Sequence, residues 1–90
     1  MARLKSLKGS LMHDIRAEMV ASVHSIIIEV GQHIAAGDTL MILESMKMEI
    51  PVLAEIAGSI VEIGVQVGDV VQEGDLLVML AAVDGKSDAI

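Results

Sequence analysis

Ninety residues without a cysteine, phenylalanine, tyrosine or tryptophan make one small domain. Its core must come from Val, Ile, Leu, Met and Ala, and it has neither a disulfide framework nor a cysteine-based metal site. Charge is divided unevenly: residues 1–16 carry four basic side chains against Asp14, net +3, while residues 17–90 carry Lys47 and Lys86 against twelve carboxylates, net −10. An acidic body with no aromatic platform excludes nucleic-acid binding, and no apolar run reaches the length of a membrane span.

The first eleven residues are basic but lack the continuous apolar stretch of a secretory signal. They read as a disordered tail, or as sequence ahead of a true start at Met12, with a partner-binding arm as a third reading. A reducing, cytoplasmic setting is expected. The boundaries are an N-terminal tail over 1–15, a domain over 16–82 and a C-terminal tail over 83–90.

From Glu18 onward the chain reads as short strands. Val20, Val23, Ile26, Ile27, Ile28 and Val30 form a β-branched run ending at Gly31. Gly37-Asp38 follows as a turn signal, then the apolar run from Thr39 to Leu43. Beyond Pro51 the pattern recurs, with Ile60 to Val67, Gly68-Asp69, Gly74-Asp75 and a last apolar run from Leu76 to Leu80.

That recurrence is a true internal repeat. Shifted by 37 residues, 17–43 falls on 54–80 without a gap, and ten of the 27 pairs are identical, including Gly31/Gly68, Gly37/Gly74, Asp38/Asp75, Leu40/Leu77 and Leu43/Leu80. Two half-domains of about four strands, each covering the other's apolar face about a pseudo-two-fold axis, follow from it. The glycines and aspartates are turn residues.

Lys47 falls in the connector between the halves, just after Leu43 closes the first copy. With a two-fold axis, the chain ends gather at one end of the domain and this connector protrudes at the other. Strand alternation would point Ser45, Lys47 and Glu49 one way and Met46 and Met48 the other. A two-residue hairpin favours Asn-Gly, so a Met46-Lys47 tip is expected to be strained. No catalytic constellation accompanies it. His13, His24 and His33 have no metal-ligand spacing, and Met41, Met46, Met48 and Met79 read as flexible filler rather than a soft-metal site.

Glu44-Ser45-Met46-Lys47-Met48-Glu49, with Pro51, Ala54 and Gly58 following, resembles the attachment signature of biotinyl domains, the biotin carboxyl carrier modules of biotin-dependent carboxylases. The likeness covers roughly residues 16–82 and is nearest to small free-standing bacterial carriers. It implies an all-β fold: a flattened barrel-sandwich of two four-stranded antiparallel sheets, with Lys47 at a tight hairpin. It further implies covalent biotin on Lys47, with Glu44, Ser45, Met46, Met48 and Glu49 read by a biotin protein ligase. The ligase would activate biotin as an acyl-adenylate and deprotonate the amine, because a lysine is ordinarily charged at neutral pH and a poor nucleophile.

The resemblance makes the chain a carrier, not an enzyme. A biotin carboxylase would load the biotin, and a carboxyltransferase, for example of an acyl-CoA carboxylase, would unload it. Tethering holds the group at an effective concentration on the order of mM in each docked complex. Some members of the family carry a protruding thumb in the first half; the gapless repeat leaves no room for one here. Two rivals stand beside this reading. A lipoyl domain shares the fold but typically reads Asp-Lys where this chain has Met46-Lys47, and an unmodified barrel-sandwich interaction module would not need the lysine.

Overall fold

The computed structural model describes residues 6–7 and 10–83. Among them every regular element is a strand: β1 (Ser6–Leu7), β2 (Ser10–Arg16), β3 (Ala21–Ile26), β4 (His33–Ile34), β5 (Thr39–Ser45), β6 (Met48–Leu53), β7 (Gly58–Ile63), β8 (Val70–Val71) and β9 (Leu76–Val83). They form two antiparallel sheets, ordered β2-β9-β7-β4 and β6-β5-β3-β8, and the short β1 adds an outer strand to β2 in the first. The fold is the expected flattened barrel-sandwich.

The repeat is obeyed down to single hydrogen bonds. The Gly37 amide donates to the Ala54 carbonyl at 2.8 Å, and Gly74 donates to Ala17 at 2.8 Å. Ala54 donates back to Asp38 and Ala17 back to Asp75, so each half clips the start of the other. The carboxylates of Asp38 and Asp75 each accept the backbone amide three residues earlier, at 2.9 Å. Gly37 and Gly74 both have φ +95°, a region where a side chain would be strained. Even the strand irregularities correspond: β3 bulges between Val23 and Ser25 against β5, and β7 between Ile60 and Glu62 against β9.

Residues from both halves meet in one core. Leu40, Met41 and Leu43 of β5 pack with their counterparts Leu77, Val78 and Leu80 of β9, joined by Val23, Ile60, Ile34 and Val71. No buried polar or charged residue interrupts it among the described residues. Aliphatic side chains suit a layer this thin, because alternate residues of each strand interdigitate without rings to accommodate.

Two boundary expectations are corrected. Ser10 to Ile15 are not tail: they belong to β2, which pairs with β9 from Ser10↔Val83 to Arg16↔Leu76. The domain also runs one residue past 82, to Val83. Ser6 and Leu7, also placed in the tail, pair with Leu11 and Ser10 as β1; the remaining expectations for the chain ends concern residues outside the described ones. The Ser10↔Val83 pairing sets the two ends of the domain side by side.

Gly58 is held by contact rather than by φ. A Cβ built there would lie 2.5 Å from the Ala81 carbonyl oxygen and 3.1 Å from the Ala82 Cα, both backbone. Gly58→Ala should therefore push β7 from β9 and cost about 2–3 kcal/mol, in the range of overpacking. Thermal unfolding measures it, with a fall in Tm of roughly 10–20 °C for a domain of this size.

Candidate functional site: a strained hairpin tip

The β5–β6 hairpin is a six-pair ladder: Thr39↔Leu53, Met41↔Val52, Ile42↔Pro51, Leu43↔Ile50, Glu44↔Glu49 and Ser45↔Met48. Only Met46 and Lys47 are left for the turn. Both have positive φ, +53° and +65°, and they are the only non-glycine residues to do so among those described. Two central residues with positive φ are the signature of a type I′ turn, whose twist matches the flanking strands. For residues bearing a Cβ this conformation costs about 1–2 kcal/mol each. The ladder and the burial of Leu43 hold the tip in it, so the strain expected from the residue types is present.

The turn fixes what the hairpin displays. Lys47 is exposed, with no carboxylate within 4.0 Å among the described residues. Met46 is 89% exposed and Met48 63%. Directly opposed residues share a face of the sheet, so Met48 lies on the Ser45 face, next along from the core pair Leu43↔Ile50. This corrects the simple alternation that grouped Met46 with Met48 and Ser45 with Glu49. The turn consumes two residues in αL, and strand alternation does not carry through them.

Glu44 and Glu49 lie together on the other face, a like-charge pair that is unfavourable by itself. His24, at the β3 bulge, stands beside both. Its Nδ1 is 4.0 Å from Glu44 Oε1 and its Nε2 3.7 Å from Glu49 Oε2. Ser22 also donates its hydroxyl to the Glu44 carbonyl at 3.4 Å. The sequence offered no signal for the role of His24, since only the bulge and the strand register bring it under the hairpin. His13 pairs with Glu55 at 3.0 Å, and His33 lies exposed in β4. Among the described residues no three His, Cys, Asp or Glu side chains cluster as a metal site.

An open groove of about 520 Å³ runs between β2 and β6, lined by Asp14, Arg16, Pro51, Leu53 and Glu55 among others. Two stretches of its lining, 14–18 and 51–55, correspond under the shift of 37. Neither Lys47 nor its flanking methionines line it, so the lysine is presented to the outside rather than to a pocket of its own domain.

A type I′ tip favours Asn at its first position. Met46→Asn is therefore expected to raise stability by about 0.5–1 kcal/mol, seen as a higher denaturant midpoint at unchanged slope. An equal or lower midpoint would show that the αL backbone at residue 46 carries no strain.

Comparison with known proteins agrees with this geometry. The profile of the biotin-lipoyl family, described as biotin-requiring enzyme, matches residues 13–80. The chain is 59% identical over 44 residues to the biotinylated protein TB7.3 homolog of Mycolicibacterium smegmatis. It is 54% identical over 44 residues to biotinylated protein TB7.3 of Mycobacterium tuberculosis. Each match takes in 49% of this chain and 62% of the relative.

Among solved structures, the fold superposes on a single-chain, multi-domain long-chain acyl-CoA carboxylase with TM-score 0.76 and 29% identity, over 88% of this chain and 8% of that one. On the Kluyveromyces lactis urea carboxylase the values are 0.72 and 32%, over 77% and 6%. With the family profile spanning most of the domain and Lys47 raised on its strained tip, the chain belongs to the biotin-lipoyl family, as one of its biotinyl domains.

Proposed function

We propose that the chain is a biotin carboxyl carrier, with biotin attached as an amide to Lys47. The observation that carries this reading is the placement of Lys47: exposed, on a type I′ turn between two exposed methionines, at the end of the domain away from the Ser10↔Val83 pairing. A group attached there can enter another protein's active site while the chain ends stay clear of it. The names of the mycobacterial relatives and the two carboxylases that contain this fold support the same reading.

Lys47 supplies the amine of the amide, and it is exposed at the hairpin tip. Met46 and Met48 give a ligase an apolar surface on either side of it, while Glu44, Glu49 and Ser45 give it polar groups to orient the hairpin. Bound biotin supplies a ureido nitrogen that takes up and gives up a carboxyl group. The domain contributes position alone. Among the described residues the first half contains no element that the second lacks between β3 and β5 and no thumb lies over the tip, so a group on Lys47 is held by its partners rather than by the carrier.

On this reading the partners are a biotin protein ligase, a biotin carboxylase and a carboxyltransferase, with an acyl-CoA carboxylase as the example favoured by the first structural neighbour. The setting is cytoplasmic. Purified chain incubated with a biotin protein ligase, biotin and ATP should gain the mass of one biotin amide. Met46→Asp, which recreates the Asp-Lys pair of lipoyl domains, should lose that gain by tenfold or more in rate, in line with burying an unpaired charge in the ligase. A wild-type chain that takes lipoate and refuses biotin would establish the rival instead.

A further inference from the structure

With no cysteine, tryptophan or tyrosine anywhere in the chain, methionine is its most readily oxidised side chain, and the methionines differ sharply in exposure. Met41 is fully buried in the core, Met12 and Met79 are partly covered, and Met19 is 42% exposed. The two most exposed among the described residues are Met46 at 89% and Met48 at 63%, and they flank Lys47. We infer that this pair is a reversible oxidation site, at which conversion to methionine sulfoxide blocks loading of the apo carrier.

The inference rests on the reading of Lys47 as the ligase's target. The oxidant is a peroxide: a thioether lone pair attacks one peroxide oxygen, the O–O bond breaks, and a sulfoxide and water are the products. Sulfur loses two electrons and the peroxide gains them. An apolar, flexible thioether becomes a polar, chiral group. For Lys47 to reach a ligase active site, the side chains on both sides of it must leave water. A sulfoxide oxygen carried into that contact without a donor costs a large part of its hydration. The fold is untouched by the change, because the core methionine Met41 is sealed and neither Met46 nor Met48 packs in the core. Once the amide has formed, oxidation comes too late to prevent it, so the site acts on the apo chain alone.

Apo chain is treated with hydrogen peroxide to one or two added oxygens, mapped by peptide mass, and then offered to a biotin protein ligase with biotin and ATP. Among the described methionines, oxygen should appear first at Met46 and Met48, and the labelling rate should fall by about tenfold or more with their oxidation, as expected for one buried polar group left unpaired. Methionine sulfoxide reductases of both stereospecificities should restore the rate, and circular dichroism should be unchanged throughout. The Met46→Leu/Met48→Leu chain, still apolar at the tip, should label at a rate that peroxide does not alter. Met46→Leu and Met48→Leu taken singly, each half-sensitive, serve where the double variant labels too slowly to measure. An oxidised chain that labels at the untreated rate would overturn the inference, as would oxygen appearing first at Met19. An untreated chain that is folded yet never labelled would instead overturn the reading of Lys47 on which the inference rests.

Discussion

Lys47→Arg is expected to abolish biotin attachment outright while leaving the domain folded. Arginine keeps the positive charge and tolerates the same backbone, and Lys47 makes no ion pair among the described residues that its loss would break. Substitutions at such sites change stability by less than about 0.5 kcal/mol. The guanidinium cannot be deprotonated under these conditions, so no nucleophile remains at the tip. Lys86 lies outside the described residues. Streptavidin binding after incubation with the ligase reads the first half of the prediction, and thermal unfolding the second. Residual labelling of the variant would show that a second lysine is used, and a large fall in Tm would show that Lys47 has a structural role.

The second large effect concerns the core and its symmetry. Leu40 and Leu77 are counterparts under the repeat, and both are essentially sealed, at 0% and 1% exposure. Leucine-to-alanine changes at such positions cost about 2–5 kcal/mol, the spread reflecting how far each cavity collapses. The whole domain is worth roughly 5–13 kcal/mol at its length, so either change consumes a large fraction of its stability. The two sites share corresponding neighbours, Met41 and Leu43 for one and Val78 and Leu80 for the other. Leu40→Ala and Leu77→Ala should therefore fall by equal amounts, to within about 1 kcal/mol, in urea unfolding. They touch one core, so the double variant should depart from the sum. Losses differing by several kcal/mol would show that the halves contribute unequally, whatever their backbone likeness.

Much of this architecture was legible because the repeat is written in the residues that turn the chain. Gly31/Gly68 and Gly37/Gly74 need positive φ, and Asp38/Asp75 close the turns at the second pair; backbone geometry restricts those positions to few residue types. Lys47 was legible from its place in the repeat. β2 was not. Its partner under the shift is β6, and aligning 11–16 with 48–53 gives no identical pair, Asp14 falling opposite Pro51. A strand of that composition, with Asp14 against Arg16 and preceded by basic sequence, becomes a strand only through β9, sixty or more residues away.

The faces of the hairpin were misread for a different reason. Alternation is a rule for extended backbone, and Met46 and Lys47 are not extended. The turn pairs Ser45 with Met48 and Glu44 with Glu49, leaving a carboxylate face watched by His24 and an opposite face that runs from Met48 into the core. The hairpin therefore presents charge on one face and the Met48 sulfur on the other.

Fragment mass spectrometry of the protein isolated from its own host tests the central claim most directly. The account predicts a single modification, a biotin amide on the peptide that contains Lys47, with no other lysine carrying it. Unmodified Lys47 in a host whose other biotin proteins are fully loaded would contradict it, as would a lipoyl group at the same position.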